Sequence, residues 1–157
     1  MNGEQSGFRD YGTTPRDVPA LTLVVKRVLG AHAWQPVRAR FGFDPAAPML
    51  VCLTLAAPRG PSVTWRVGRE LLYRGLFEES GEGDVQVWPS LGQESEIAFL
   101  LLDSGESSAV LELPVPELVD WLEGTYALVP AEAEAEAVDW EGTIAALLDP
   151  ARRRAQD

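Results

Sequence analysis

The sequence predicts an α+β domain, an antiparallel β-sheet with helices packed on or beneath it, in a strands-then-helix order that occurs twice. Three observations carry this reading. Residues 63–67 alternate strictly, with Val63, Trp65 and Val67 on one side and Thr64 and Arg66 on the other, the period of a half-buried strand. After Gly68 the period lengthens to that of a helix, with Leu72 and Leu76 one turn apart. The same switch recurs at Pro114, where Ala109, Leu111 and Leu113 alternate and Val115, Leu118 and Leu122 then form a helical stripe.

Taken in order, residues 1–19 are polar and carry Gly, Thr and Pro, the composition of a disordered leader. Residues 20–29 are a first strand, in which Lys26 and Arg27 suggest an exposed end or a sheet edge. Residues 30–35 form a turn or loop. Residues 36–43 set Val37, Ala39, Phe41 and Phe43 against Arg38 and Arg40, a strand with a basic face. Asp44-Pro45 and Ala47-Pro48 make a turn. Residues 49–55 read as a central apolar strand that buries Cys52, since a cysteine there behaves as a small hydrophobe. In the short helix over 69–76, Arg69, Glu70 and Arg74 face water, and Gly75 stands where glycine commonly ends a helix. Residues 78–83 are a polar loop.

Residues 84–88 form a strand with Val85 and Val87 on one face and Gln86 and Trp88 on the other, ended by Pro89. Residues 96–102 form a strand that is continuously apolar after Glu96, as in a strand covered on both faces or placed in an interface. A hairpin loop at 103–106 leads to the strand over 107–113. The helix over 114–126 widens its stripe with Val119 and Trp121, and carries Glu117, Asp120 and Glu123 on an acidic face. The alternating Ala and Glu of 131–137 read as solvated linker or helix extension, because both residues are depleted from strands. Asp139 caps an amphipathic helix bearing Trp140, Ile144, Leu147 and Leu148, and Pro150 stops it. The expected organisation is a leader over 1–19, one domain over 20–149 and a disordered tail over 150–157.

A chain of 157 residues with 46% hydrophobic and 24% charged side chains suits one globular domain. No apolar run approaches the roughly 20 residues that span a bilayer, and the first residues lack the apolar core of a signal peptide, so the expected location is cytoplasmic. Cys52 is the only cysteine, which excludes an internal disulfide. The net charge of −11 hides an asymmetry: residues 1–74 carry ten basic and five acidic side chains, and residues 75–157 three basic and nineteen acidic. Nucleic-acid binding rests largely on phosphate neutralisation, so this balance speaks against such a partner. Arg38, Arg40, Arg59, Arg66, Arg69 and Arg74 are expected to pair with the acidic half. A single histidine, His32, leaves a histidine metal site or a histidine-dependent triad without its parts. Gly81-Glu82-Gly83-Asp84 lacks the Lys-Ser/Thr ending of a phosphate loop. No catalytic, cofactor-binding or metal-binding residue is therefore assigned. Trp65, Trp121 and Trp140 are expected in the core. Trp88 reads either as a core residue or as the candidate aromatic anchor for a partner, and the face of Glu117, Asp120 and Glu123 is the second candidate interface.

Several segments together resemble the SsgA-like proteins, the sporulation-linked cell-division regulators of actinomycetes. They are FGFDPAAPMLVCL (41–53), VTWRVGRELLYRGL (63–76), GDVQVWPS (83–90), the strand ending LELP (111–114) and VDWEGTIAALL (138–148). The resemblance implies a non-enzymatic protein that acts by protein–protein interaction, placing or recruiting the FtsZ ring, other SsgA-like proteins or cell-wall machinery at division septa. It also implies an architecture like that of the whirly-type single-stranded nucleic-acid binders, assembled as a trimer. The alternative that this architecture suggests is a single-stranded nucleic-acid-binding protein.

Overall fold

Four strands come first: β1 (Leu21–Gly30), β2 (Ala33–Gly42), β3 (Leu50–Ala56) and β4 (Ser62–Gly68), leading into helix α1 (Arg69–Gly75). Four more follow, β5 (Ser80–Glu82), β6 (Val85–Pro89), β7 (Ile97–Asp103) and β8 (Ser108–Pro114), leading into helix α2 (Val115–Leu128) and a single 3₁₀ turn at Ala131–Ala133. The computed structural model describes residues 17–91 and 96–133. The expected leader, tail and helix over 139–149 fall largely or wholly outside them. Among the described residues the eight strands form one sheet in the order β4-β3-β2-β1-β8-β7-β6-β5, and every pairing is antiparallel.

Alternation dictates which face is covered. Val25, Val37, Phe41, Leu53, Val67, Val87, Leu100, Leu111 and Leu113 point to one side and are all buried. Both helices pack on that side: Trp121 of α2 meets Phe41 with ring centres 6.1 Å apart, and Leu72, Leu118 and Leu122 are buried in the same core. The sheet is strongly curled. Strands β4 and β7 stand five places apart in the order, which is roughly 24 Å across a flat sheet at ~4.8 Å per strand. Yet Trp65 of β4 and Leu102 of β7 line the same cavity.

β1 is no edge. It pairs with β2 along its length and with β8 through Lys26, Arg27 and Val28, because alternation carries the Lys26 charge to the solvated face without interrupting the ladder. The first loop is shorter than expected, since Gly30 already faces Ala33. Proline is tolerated at Pro36 because β3 pairs only with Arg38–Gly42 and needs no amide there. Cys52 is exposed: β3 buries Val51 and Leu53, so the residue between them must face outward. In β7 only Ala98, Leu100 and Leu102 are fully buried, while Ile97, Phe99 and Leu101 are half-buried on the outer face. β4 leaves the core towards its start, from Val67 at 1% exposure to Val63 at 52%, and Trp65 is half-buried.

The stretch over 78–83 is not simply a loop. It holds β5, which pairs with β6. Ser, Gly and Glu are weak strand formers and gave no signal; a Cβ at position 81 would lie 2.7 Å from Gln86 Cγ, so glycine leaves room for the side chain of its partner across the ladder. Gly83, at φ 64°, supplies the left-handed residue of the tight turn into β6.

Gly75 does not act as a helix stop. The residue that ends α1, Leu76, has ordinary helical dihedrals. A Cβ on Gly75 would instead stand 2.2 Å from Val87 Cβ, so glycine here lets α1 lie directly on β6. Gly75→Ala is therefore expected to cost about 1–3 kcal/mol, the range for overpacking a tight core, measured by urea denaturation. A gain in stability, as for an unhindered helical glycine replaced by alanine, would contradict this contact.

Candidate functional site

Arg69 opens α1 with its backbone N–H donating to the Met49 carbonyl at 2.7 Å. Its side chain is fully buried, contrary to the water-facing position expected from the helical period. Nη1 donates to the Thr125 carbonyl at 3.1 Å and to Thr125 Oγ1 at 3.4 Å. The guanidinium carbon lies 3.9 Å from the centre of the Tyr126 ring and 5.2 Å from that of Phe43. Thr125 belongs to the last turn of α2, which has no basic residue of its own. A cation is favoured at the C-terminal end of a helix dipole, and Arg69 supplies it from another element. One side chain thus joins α1, α2 and the end of β2. This is the residue that sequence reasoning missed. A short helix can turn its first residue into the core, and no periodicity over two turns reports that.

Of the candidate interface residues, Glu117, Asp120 and Glu123 are all exposed on α2. Glu123 Oε2 accepts a hydrogen bond from the Tyr73 hydroxyl at 3.4 Å, and Tyr73 also packs edge-on against Phe77 and Tyr126. Trp88 lies on the outer face of the sheet, half-buried, stacked on Phe99 with ring centres 5.8 Å apart. The helices cover the opposite face, so the structure does not bring Trp88 and the acidic face of α2 together.

The outer face of the first four strands is basic. The register sets Arg40 beside Thr22 and Thr54, Arg38 beside Val24 and Ala56, and Arg66 beside Cys52. Lys26 lies over the Trp34 ring at 4.9 Å and faces Glu112 across the ladder. The expected pairing of arginines with the acidic half is not what the described residues show. Between two described residues, the arginine–carboxylate ion pair formed is that of Arg74 with Glu70 within the same helix; the carboxylates of 134–149 lie outside the described residues.

At the end of the sheet opposite the helices, a cleft of about 350 Å³ opens between the two wings. Its walls include Leu55, Val63, Trp65, Leu102 and Leu111, with Arg27 beside them. Trp65, expected in the core, is half-buried: it packs against the core cluster and also forms part of the cleft wall. Among the described residues no group of three His, Cys, Asp or Glu side chains is placed to hold a metal ion. His32 is exposed in the turn between β1 and β2. No helix among the described residues is long and apolar enough to cross a membrane.

An antiparallel, helix-capped curled sheet with these surfaces defines a protein class that comparison makes specific. Residues 37–134 match the family model for SsgA, the Streptomyces sporulation and cell division protein, and the chain belongs to that family. It is 31% identical over 136 residues to the sporulation-specific cell division protein SsgB of Frankia casuarinae, covering 87% of this chain and 95% of that one. It is 39% identical over 115 residues to SsgB of Salinispora tropica, covering 72% and 80%. Among solved structures, SsgB of Streptomyces coelicolor, studied for mutations that correlate with longitudinal cell division during sporulation, superposes with a TM-score of 0.72 at 32% identity, over 80% of this chain and 99% of that one. An SsgA-like sporulation-specific cell division protein of Thermobifida fusca gives 0.69 at 30% identity, over 86% and 100%. The family is named for sporulation and cell division and not for a reaction.

The Tyr73–Glu123 contact makes a testable statement about α1 against α2. Burial first, and then the Glu123 charge and hydrogen bond, hold the Tyr73 hydroxyl protonated above its ordinary value of 10.0. The unfolded tyrosine ionises first, so stability from this group is present below about pH 10 and is lost as pH rises through the folded value. Glu123→Gln is expected to move the Tyr73 midpoint down, while burial keeps it above the ordinary value. Absorbance titration at 295 nm, with Tyr73→Phe as the reference, reads this; an unmoved midpoint would contradict the contact.

Proposed function

We propose that this chain is a non-enzymatic interaction module of sporulation-linked septation. It works from the cytoplasm, concentrates at division septa, and localises or recruits the FtsZ ring, other SsgA-like proteins or cell-wall machinery. The observation that carries the reading is the family match over residues 37–134, with relatives named as sporulation-specific cell division proteins. The chemistry supports it. The polar groups that the fold buries deepest, Arg69 and Thr125, hold the helices together, and the charged groups left at the surface form faces rather than a reaction centre. A whirly-like architecture and assembly as a homotrimer belong to the same reading; the order of four strands and a helix, twice over, is compatible with it. The partner contacts we assign are Trp88 on the outer sheet face and Glu117, Asp120 and Glu123 on α2.

A second reading, single-stranded nucleic-acid binding, is favoured by one observation: the outer face combines Lys26, Arg38, Arg40 and Arg66 with the exposed ring of Trp34, and such binders use cationic grooves with aromatic stacking platforms. The net charge of −11 opposes it.

Capture of division proteins from a sporulating lysate separates the two. The wild-type chain is expected to retain division proteins, and the Glu117→Lys, Asp120→Lys double variant to retain several-fold less at an unchanged melting temperature. Binding of a labelled single-stranded oligonucleotide at low salt is expected to be weak. Tight oligonucleotide binding that fades steeply with salt, with no division protein captured, would replace the first reading by the second.

A further inference from the structure

We propose that the open end of the curled sheet is a docking cleft for an extended, apolar–acidic peptide segment of a partner protein, which adds as a strand to the free edge of β4, seats an apolar side chain between Val63, Trp65 and Leu102, and brings a carboxylate to Arg27. The proposal deepens the interaction-module reading and rests on it.

Four observations converge. Among the described residues, β4 stands at the end of the strand order and pairs only with β3. A free edge presents a row of backbone donors and acceptors, and extended peptides are recognised by completing such a row while alternate side chains enter pockets. A pocket lies at this edge: Val63 and Trp65, on the side of β4 that faces inward, line a cleft of about 350 Å³. That volume is at the lower end of the roughly 300–1,000 Å³ of ligand sites, enough for one or two large side chains but small for a cofactor. The apolar wall is open, with Val63 at 52% exposure, although the same alternation buries Val67 to 1% four residues later.

The fourth observation is charge. Arg27 lines the cleft, and no Asp or Glu is among the residues that do. Its Nη2 donates to the Ser108 carbonyl at a long 3.4 Å, which leaves most of the guanidinium fork available. A guanidinium beside an apolar wall selects an occupant that carries both an apolar group and an anion, and a carboxylate is bound by the fork in two parallel hydrogen bonds. The net negative charge of the chain repels acidic partners at long range, so the anion is recognised locally, by Arg27, and not by steering.

The test begins with a displayed library of random eight-residue peptides panned on the full chain. One enriched peptide is synthesised and titrated against wild type, Val63→Asp and Arg27→Glu, each checked for unchanged circular dichroism. Enriched sequences are expected to alternate apolar residues and carry an acidic one. Each variant is expected to weaken binding roughly tenfold or more, the loss typical of a central contact, and the peptide with its acid changed to lysine is expected to regain binding on Arg27→Glu. The proposal is overturned if no peptide is enriched, or if the selected peptide binds both variants as tightly as wild type. It is also overturned if dodecanoate, an apolar anion without a backbone, binds the cleft while peptides do not. Sedimentation showing that Val63→Asp abolishes a self-association of wild type would overturn it too, by making a second copy the occupant. Capture of division proteins is run in parallel with both variants. Undiminished capture would sink the cleft and leave the interaction module standing; no capture by wild type would sink the module, while the peptide titration still decides whether the cleft binds.

Discussion

The arrangement of both helices depends on one buried guanidinium. Arg69 gives its donors to Thr125 and its flat face to Tyr126 and Phe43. An ionised group is costly to remove from water unless it is hydrogen-bonded and compensated. Here the compensation is structural: the last turn of α2 presents carbonyls and the negative end of a helix dipole, and the aromatic faces add cation–π attraction. The same Thr125 carbonyl also accepts from Val129 N–H as the helix ends. α2 thereby borrows from α1 the positive charge that its own last turn lacks. Arginine suits the place better than lysine, because only the planar fork both stacks and donates.

Once the helices are pinned, the remainder of the shape follows. Gly75 brings α1 onto β6 with no side chain between them, and Trp121 reaches over Phe41 and donates its indole N–H to the Pro19 carbonyl at 2.8 Å. That bond fastens the segment just before β1 to α2. Both helices sit after the ends of β4 and β8, at one end of the curled sheet. The opposite end, where the β1–β2, β3–β4 and β7–β8 turns lie, has no helix among the described residues to fill it. Among the described residues the sheet runs from β4 at one edge to the short β5 at the other, and the cleft lies beside the β4 edge. The chain belongs to a family named for sporulation and cell division, and the docking proposed above would use that cleft and that edge.

Much of this was legible in the sequence, and for identifiable reasons. The alternation at 36–43, 63–67, 84–88 and 107–113 and the helical stripe after Pro114 survive into the structure within a few residues, because strand and helix periods are imposed by the buried face itself. The misreadings arise where a residue's type and its place disagree. Cys52 is apolar in type but occupies the outward parity of β3, and Lys26 is charged yet sits within a central strand for the same reason of parity. β5 carries no strand signal because Ser80, Gly81 and Glu82 are all weak strand formers, and its pairing with β6 is a matter of backbone alone. Arg69 was placed in water because two helical turns are too few to define a face. The cleft was not legible at all. It is made by Arg27, Trp65 and Leu102, residues from separate strands that meet only because the sheet curls.

The most direct test of this account is a double-mutant cycle between Arg69 and Tyr126, using Arg69→Met and Tyr126→Leu, with unfolding free energies from urea titration. If the stacked guanidinium joins the two helices, the pair is coupled, by about 1–2 kcal/mol for a desolvated cation–π contact. Additive losses, with coupling close to zero, would mean that the helices are held by apolar burial alone and that the guanidinium is a passenger in the core.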